Sequence, residues 1–217
     1  MDSINNVLSD IYDRQCMIDD LSSKSAMVIG VGGVGSWLAL DLALIGVGTL
    51  ILIDPDIIEA SNLNRTMFKV SQVGMKKTLA SKVLISERRP DAIVLTIDEH
   101  FDTSLLKKYN VDFIFDATDN LATRNLVDDF CKTNSDITRP PYCKCGYDGF
   151  HGTLSANDFD SGRWGEDGSY TAVPSFVGTP QVLSALAVIE LVVCKSTVAM
   201  SYNFNVKKLL TRKKELV

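Results

Sequence analysis

The 217-residue sequence lacks the signatures of several protein classes. Its five cysteines are an odd, irregularly spaced set without a Cys-x-x-Cys pair, so neither a disulfide framework nor a standard zinc site is indicated. The formal charge of −5 provides no basic field of the kind that nucleic-acid binding needs, and we expect no nucleic-acid partner. The sequence also contains no internal repeat and no low-complexity tract.

Long apolar runs are absent as well. The first 25 residues contain five aspartates and no long apolar stretch, so they match neither a signal peptide nor a transit peptide. The most apolar window, residues 182–193, is shorter than the ~20 residues that cross a bilayer, and Glu190 interrupts it. We therefore expect a buried helix in that window, no membrane partner and a cytoplasmic protein.

The composition that remains is typical of a globular protein. Apolar residues make up 46% and charged residues 23%, which excludes a largely disordered chain. The length suits one α/β domain and is too short for two domains of ~150 residues each. We predict a single domain over residues 1–217, with a helical arm at 1–24, a first half at 25–135 and a second half at 136–217.

A glycine-rich segment is the most informative feature of the sequence. Apolar residues 27–29 lead into Gly30, Gly32, Gly33 and Gly35 and then into a helical pattern. Such a turn presents bare backbone N–H groups and the positive end of a helix dipole to a phosphate. We assign Gly30 to the tight turn, Gly32 to close approach of the phosphate, and Gly35 to packing of the helix against the strand.

Apolar strands and helical patterns alternate in the first half, whereas the second half changes character. The predicted strand 111–115 is apolar without alternation, as expected when helices cover both faces of a parallel sheet. The fold class we predict is α/β, a Rossmann-like doubly wound sheet that is parallel in the N-terminal half and has antiparallel strands in the C-terminal half. The predicted strands are 26–29, 49–53, 92–97 and 111–115, with short antiparallel strands in 142–155 and one or two more in 198–210. The predicted helices are 33–45, 74–88, 119–131 and 182–194, and residues 157–169 form a polar loop.

Polar residues follow the ends of the predicted strands. Asp54 comes directly after the second strand. Its distance along the chain from Gly30 is near the ~20-residue spacing at which a carboxylate accepts hydrogen bonds from a ribose. Three further clusters occupy residues 61–65, 73–77 and 116–120. Because ligands of open α/β sheets bind at the carboxyl ends of the strands, we expect all of them to converge on the glycine-rich turn.

The charged members of these clusters indicate which reaction the nucleotide undergoes. Arg65 and Lys77 can neutralise phosphate oxygens during attack on an α-phosphate, and Asp119 can hold a magnesium ion that bridges those oxygens. Hydride transfer would instead need an apolar face and a proton donor beside a nicotinamide ring. We therefore favour ATP and magnesium over NAD, with an NAD-dependent oxidoreductase as an alternative.

Several of these assignments have alternatives. Either Lys76 or Lys77 faces the site, and the spacing from the preceding glycine favours Lys77. Asp116 either shares the metal or bonds backbone N–H groups at the start of a helix. The remaining alternatives are structural. Asp13 and Arg14 would form a solvated ion pair, Arg65 would be a surface residue, and His151 would be a hydrogen-bonded structural residue. Trp37 would belong to the core, and Trp164 would either pack within the protein or bind a partner.

Over roughly residues 8–205 the sequence resembles the ubiquitin-activating-enzyme superfamily, in its small bacterial form of ThiF, MoeB and HesA proteins. The motifs that carry the resemblance are residues 12–15, the glycine-rich turn 30–35, Asp54, residues 62–65, 74–77, 116–120 and 149–152.

The resemblance implies a role for each matching residue. Asp54 would contact the ATP ribose, Asn62, Arg65 and Lys77 the phosphates, and Asp119 the magnesium ion. Arg14 matches an arginine that reaches into the ATP site of a partner subunit. The other residues expected to bind the nucleotide are Gly30, Gly32, Gly33, Gly35 and Asn120.

The resemblance also implies an activity. Such proteins adenylate the C-terminal carboxylate of a small ubiquitin-like or sulfur-carrier protein and release pyrophosphate. They are usually homodimers, and the apolar helix 182–193 and the loop 157–169 match the dimer-facing helix and the crossover segment. The alternatives are a related enzyme that acts on a peptide precursor or a tRNA base, and a nucleotide-binding scaffold subunit without turnover.

Two departures from the family pattern concern cysteine. The two Cys-x-x-Cys pairs that hold a structural zinc in many relatives are missing, so we predict no zinc. Residues 153–193 contain no cysteine for a thioester or persulfide, so we predict adenylation without covalent capture. Cys143 and Cys145 read as buried small residues of a strand, and a covalent role for them or for Cys194 stays open.

Overall fold

A computed structural model of the chain describes residues 10–15, 18–133, 140–157 and 178–205. Seven strands in this part of the chain form one mixed sheet in the order β3-β2-β1-β4-β5-β6-β7. The strands are β1 (Ser25–Ile29), β2 (Thr49–Ile53), β3 (Ile93–Ile97), β4 (Phe113–Asp116), β5 (Tyr142–Asp148), β6 (His151–Ala156) and β7 (Met200–Asn205). The helices are α1 (Gly33–Ile45), α2 (Lys77–Ser86), α3 (Ser104–Lys108), α4 (Leu121–Thr133) and α5 (Gly178–Val188), and α5 continues into a π-helical turn at Ile189–Val193.

The first five strands are parallel, and β1 lies at their centre. In the register of the sheet, Met27 of β1 pairs with Ile51 of β2 on one side and with Ile114 of β4 on the other. The chain runs outward from β1 through β2 to β3 and then returns to β4 on the other side of β1. This reversal opens a crevice at the carboxyl ends of β1 and β4, which is the ligand position of doubly wound sheets.

The last two strands extend the sheet in antiparallel fashion. β6 pairs with β5 through a tight hairpin in which Asp148 is opposite His151, and β7 pairs with β6. The predicted fold class is therefore confirmed, including the change from parallel to antiparallel strands in the second half.

Apolar residues cover both faces of the sheet. On one face, Leu38 and Leu42 of α1 and Leu183 of α5 belong to a core that also contains side chains from α2 and the strands. On the other face, Val127 of α4 and Leu106 of α3 pack with Met27 and its neighbours. Each of these buried side chains contributes roughly 1.5–3 kcal/mol by leaving water, so the two layers fix the strand ends firmly.

Several predicted boundaries are wrong, and local hydrogen bonds explain two of them. The helix predicted at 74–88 begins only at Lys77, because Gly74 donates to the Ile58 carbonyl (2.9 Å) and Ile58 donates to the Met75 carbonyl (2.8 Å). The helix predicted at 119–131 begins at Leu121, because the Asn120 side chain accepts the N–H of Thr123 (3.2 Å) and caps it.

Other boundaries shift by a few residues. The strands predicted at 92–97 and 111–115 run from Ile93 to Ile97 and from Phe113 to Asp116. The helix predicted at 182–194 begins four residues earlier, at Gly178, and its last turn is π-helical.

The arm at 1–24 is only partly described. Residues 18–24 are bends and turns and not the predicted helix, because the Asp20 carboxylate accepts the N–H of Ser22 (2.9 Å) and so competes with helical bonding. Most of the predicted loop 157–169, including Trp164, lies outside the described residues. The single-domain prediction covers those residues too and stays a prediction. No helix in the described ranges is both long and apolar enough to cross a membrane.

Candidate functional site

A cavity of about 520 Å³ opens at the carboxyl ends of β1, β2, β4 and β5. We call residues 53–56 with Lys77 the β2 wall, and residues 117–120 with 145–148 the β4–β5 wall. The glycine-rich turn lies between the two walls. The predicted site residues that line the cavity are Gly30, Gly32, Gly33, Asp54, Asn62, Arg65, Lys77, Asp119 and Asn120.

The glycine-rich turn is tightly packed on one side and open on the other. Gly30 has a φ of +83°, and a Cβ at Gly35 would lie only 1.8 Å from the Gly30 carbonyl oxygen. Gly35 therefore lets α1 pack on the end of β1 and does not line the cavity. A Cβ at Gly32 would meet no atom within 4 Å, so this glycine leaves space free for a ligand.

Helix α1 begins at this turn and points its positive end at the cavity. The Gly32 carbonyl accepts the N–H of Ser36 (3.0 Å), which is the first hydrogen bond of the helix. Three backbone N–H groups before Ser36 have no acceptor within the helix, those of Gly33, Val34 and Gly35. Such N–H groups and the helix dipole favour a bound phosphate.

Asp54 is buried and held by two backbone donors. One carboxylate oxygen accepts the N–H of Val31 (2.7 Å), and the other accepts the N–H of Asp56 (2.9 Å). Only 5% of the residue is exposed. These bonds fix the carboxylate beside the glycine-rich turn.

Lys77 is the lysine that faces the cavity. Its Nζ lies 2.7 Å from a carboxylate oxygen of Asp56 and 3.6 Å from one of Asp54. Lys76 instead donates to the Pro55 carbonyl. The sequence reasoning did not single out Asp56, although its position two residues after Asp54 could have drawn attention to it.

The loop with Asn62 and Arg65 is held by its own polar groups. The Arg65 guanidinium donates to the Ser61 carbonyl (2.6 Å) and to the Asn64 side chain (3.0 Å), and Asn62 accepts the N–H of Glu59 (3.0 Å). Trp37, which we expected in the core, is only partly buried and donates from its indole to the Arg65 carbonyl (3.0 Å). It thereby connects the loop to α1.

The two aspartates at the end of β4 have different surroundings. Asp116 is fully buried; one oxygen accepts the backbone N–H (2.9 Å) and the hydroxyl (2.7 Å) of Thr118, and the other accepts the Tyr142 hydroxyl (3.3 Å). Asp119 is exposed and lines the cavity, and it makes no hydrogen bond or ion pair with the described residues. The geometry therefore gives Asp116 a structural role and leaves Asp119 available to a ligand.

Arg124 of α4 is a buried residue that lines the cavity beside the β4–β5 wall, and the sequence did not point to it. Its guanidinium donates to the Thr118 carbonyl (3.1 Å) and to the Cys145 carbonyl (2.5 Å), so it joins the loop before α4 to β5. Within the sequence it is one of several charged residues of a helix, and only the tertiary structure shows its burial.

Arg14 lies far from the cavity of its own chain. Its neighbour Tyr12 stacks on the Arg89 guanidinium at 5.1 Å, and Gln15 donates to the Ile45 carbonyl at 2.8 Å. These contacts place residues 12–15 at the carboxyl end of α1, whereas the cavity is at its amino end. A 13-residue helix is about 20 Å long. Arg14 and Asp13 are both exposed, and the described contacts include no ion pair between them.

The described cysteines of β5 are core residues. Cys143 and Cys145 are buried with their sulfur atoms 3.9 Å apart, and burial raises the pKa of the Cys143 thiol well above its ordinary value. A protonated, buried thiol is a poor nucleophile. Cys194 is exposed.

His151 has the surroundings of a structural histidine, since its ring forms a hydrogen bond with the Asn205 side chain (2.7 Å). Within the described residues, no three side chains of His, Cys, Asp or Glu are grouped to hold a metal ion.

Comparison with solved structures agrees with this architecture. Escherichia coli MccB, solved with ATP, has a TM-score of 0.67 to this chain at 22% identity, over 86% of this chain and 64% of MccB. The E. coli tRNA N6-threonylcarbamoyladenosine dehydratase TcdA has a TM-score of 0.55 at 26% identity, over 60% of this chain and 54% of TcdA. The first of these likenesses shows the fold alone.

Sequence comparison identifies relatives with higher identity. The adenylyltransferase and sulfurtransferase MOCS3 of Dictyostelium discoideum is 37% identical over 131 residues, 55% of this chain and 31% of that protein. The sulfur carrier protein ThiS adenylyltransferase of E. coli K12 is 32% identical over 131 residues, 55% of this chain and 52% of that protein. The chain thus spans about half or less of these relatives. The model of the ThiF family matches residues 5–214, and the chain belongs to the ThiF family.

Proposed function

We propose that this protein is an ATP-dependent adenylyltransferase that activates the C-terminal carboxylate of a small ubiquitin-like or sulfur-carrier protein. In this reaction a carboxylate oxygen bonds to the α-phosphorus of ATP. The bond between that phosphorus and the oxygen bridging to the β-phosphate breaks, and pyrophosphate leaves with the electron pair. The product is an acyl-adenylate.

One observation carries the proposal: a single cavity brings the phosphate-binding start of α1 together with the fixed carboxylate of Asp54, the cations of Lys77 and Arg65, and the carboxylate of Asp119. Asp54 would accept hydrogen bonds from the ribose hydroxyls, and the N–H groups at the start of α1 would bind the phosphates. Lys77 and Arg65 would neutralise the charge that develops on the phosphate oxygens. A hydride-transfer site has no need for these two cations.

Asp119 fits the requirement for a magnesium ligand. Magnesium bound to a nucleotide usually takes one or two carboxylates together with phosphate oxygens and water, so a three-residue cluster is unnecessary. Asp119 is exposed within the cavity and has no partner among the described residues. When bound, the ion would neutralise negative charge on the phosphates. Asn120, in contrast, caps α4 and would support this loop.

Arg14 requires a second copy of the chain if it acts in catalysis, because it lies at the end of α1 opposite the cavity. A surface suited to such a dimer runs along α5 and the π-helical turn, where Leu186, Ile189 and Val193 are exposed at helical spacing. We therefore include a homodimer, with Arg14 donated to the partner's cavity, in the proposal.

A peptide is the second candidate for the activated acid. MccB, which shares the fold over 86% of this chain, has been solved with MccA as well as with ATP. The cavity continues from the glycine-rich turn along β5, so a chain end of either kind could approach there. A tRNA base is disfavoured by the net charge of −5.

Pyrophosphate exchange tests the proposal. The purified protein should return labelled pyrophosphate into ATP only when a suitable acid is present, either a carrier ending in Gly-Gly or a peptide. Asp119→Asn should reduce exchange at least a hundredfold, because the metal-bound phosphates lose their protein ligand. Asp129→Asn alters an exposed aspartate outside the cavity and is the matched control.

Two outcomes would contradict the proposal. ATP binding without exchange for any carboxylate would indicate a scaffold subunit. Tight NAD binding without ATP binding, measured side by side by calorimetry, would indicate an oxidoreductase.

A further inference from the structure

The β4–β5 wall contains a side chain to which the proposed function gives no role. Of the four β5 residues that line the cavity, Cys145 is buried in the core, Gly146 has no side chain, and Asp148 already has an interaction partner. Tyr147 is partly buried and brings an aromatic hydroxyl to the cavity.

Tyr147 lies directly against the glycine-rich turn. A Cβ at Gly33 would be 2.1 Å from the Tyr147 hydroxyl oxygen and 2.9 Å from the ring carbon that carries it. The hydroxyl therefore sits over the first residue of α1, in space that any side chain at position 33 would occupy. The three atoms nearest to such a Cβ all belong to Tyr147, so a side chain at position 33 would have to displace the Tyr147 ring.

The hydroxyl of Tyr147 is available to a ligand. It makes no hydrogen bond with the residues that the structure describes. Tyr142 on the same strand provides a contrast, because its hydroxyl donates to the Asp116 carboxylate at 3.3 Å. A phenol that faces a cavity without a partner can donate a hydrogen bond to an anion bound there.

The position of Asp54 indicates which part of the nucleotide lies beside Tyr147. The Asp54 carboxylate is one hydrogen bond, 2.7 Å, from the N–H of Val31, only two residues before Gly33. Of the phosphates of a nucleotide whose ribose is held by Asp54, the nearest one would therefore lie closest to Gly32 and Gly33. Tyr147 approaches this position from the opposite wall.

From this geometry we infer that Tyr147 donates a hydrogen bond to a non-bridging oxygen of the α-phosphate. The inference rests on the proposed adenylation, since it assigns a group to the reacting phosphorus. Negative charge grows on those oxygens as the carboxylate attacks, and a donor already fixed in place stabilises it without reorganisation. The phenol keeps its proton throughout, so the bonds that form and break are those of the adenylation alone.

Binding of two probes tests the inference without knowledge of the natural acid. The first probe is adenosine, which lacks the α-phosphate, and the second is glycylsulfamoyl adenosine, a non-hydrolysable mimic of an acyl-adenylate. In Tyr147→Phe, we expect the affinity for the mimic to fall about tenfold, as for loss of a hydrogen bond to a polar ligand, and the affinity for adenosine to change less than twofold. Calorimetry gives both values.

Two further variants complete the experiment. Tyr109→Phe removes the hydroxyl of a partly buried tyrosine outside the cavity and should leave both affinities unchanged. Gly33→Ala should displace the Tyr147 ring and weaken the mimic at least as much as Tyr147→Phe does. It keeps the inference testable if Tyr147→Phe fails to fold, which thermal unfolding would reveal.

The outcomes separate the inference from the proposed function. If the wild type binds both probes and Tyr147→Phe binds the mimic equally well, the inference is wrong and the adenylation proposal stands. The inference is also wrong if the variant loses both probes in parallel, because Tyr147 then only shapes the cavity. If the wild type binds neither probe, the adenylation proposal fails and the inference fails with it.

Discussion

The two walls of the cavity differ in what their polar groups do before a ligand arrives. On the β2 wall, Asp54 accepts two backbone N–H groups, and Lys77 lies between Asp54 and Asp56. On the β4–β5 wall, Asp119 and the Tyr147 hydroxyl have no partners among the described residues. The β2 wall is therefore arranged by its own contacts. The β4–β5 wall, where Thr118 and Asn120 also make internal hydrogen bonds, keeps the Asp119 carboxylate and the Tyr147 hydroxyl for the ligand. We infer that Asp54 of the β2 wall fixes the nucleoside, while Asp119 and Tyr147 of the β4–β5 wall act at the reacting phosphate.

The glycine-rich turn separates the walls, and its steric limits give the largest expected effect. Gly35→Ala places a Cβ only 1.8 Å from the Gly30 carbonyl oxygen, so α1 must move away from β1. We expect a loss of roughly 3 kcal/mol or more in the free energy of unfolding, at the upper end of overpacked core sites. Gly32→Ala meets no atom and should change stability by less than about 1 kcal/mol. Urea unfolding that gave equal losses for both variants would contradict this view of the turn.

The ion pairs of Lys77 in the β2 wall predict the next largest effect. Lys77→Met removes the one ammonium held between Asp54 and Asp56 and leaves both carboxylates to face the phosphates. The affinity for ATP with magnesium should fall at least tenfold, because a charge-assisted hydrogen bond is lost and repulsion replaces it. Lys76→Met is the matched control and should change the affinity less than threefold. An equal loss in the two variants would show that the distinction between these lysines is wrong.

A partly buried carboxylate outside the cavity, Asp41, provides a contrast with Asp54. Asp41 of α1 accepts a hydrogen bond from Ser184 of α5, and burial raises its pKa above the ordinary value for aspartate despite that bond. Asp54, in contrast, has two backbone donors. The hydrogen bond from Ser184 thus joins α5 to α1 through a carboxylate whose negative charge is poorly stabilised by its surroundings.

The raised pKa of Asp41 sets the sign of a pH effect. Because the folded state holds the proton more tightly than the unfolded chain, the contribution of Asp41 to stability is fully present below the ordinary aspartate pKa. It is lost as the pH rises through the folded pKa. Asp41→Asn should therefore raise the free energy of unfolding at pH ~7 by up to about 1 kcal/mol and have little effect near pH ~4. Urea unfolding at both values checks this, and a destabilised variant at pH ~7 would refute it.

Much of the first half of the molecule could be predicted from local patterns. Gly30, Asp54 and Asp119 each follow a strand whose apolar run is visible in the sequence, and the rule that strand ends converge brings them together. Lys77 instead begins α2, and its spacing from the preceding glycine favours it over Lys76. The same local patterns misplace the starts of two helices. The Asn120 cap and the hydrogen bond from Gly74 to Ile58 delay these starts, and hydrophobic periodicity does not reveal such individual hydrogen bonds.

Residues whose role depends on distant pairing could not be predicted in this way. Tyr147 reaches Gly33 only because β5 lies beside β4, and Arg124 is buried only because α4 packs on β5. Tryptophan is a residue type typical of a protein core, yet the indole of Trp37 donates a hydrogen bond to a loop carbonyl 28 positions away. In each case the contact joins segments that are far apart in the sequence, and the residue type alone allows several surroundings.

The smallest predicted effect distinguishes two views of Asp56. Its side chain is 64% exposed, so its ion pair with Lys77 contributes little to stability and competes with a phosphate for the same ammonium. If competition dominates, Asp56→Asn should strengthen ATP binding two- to threefold, because the amide oxygen still accepts a hydrogen bond from Lys77 but the negative charge is gone. If Asp56 instead orients Lys77 toward the phosphates, binding should weaken. Titration of both proteins with ATP at low and high salt decides the question, since the gain from removing a charge should shrink as salt screens it. A weaker, salt-independent affinity in the variant would mean that the β2 wall depends on Asp56 for its arrangement.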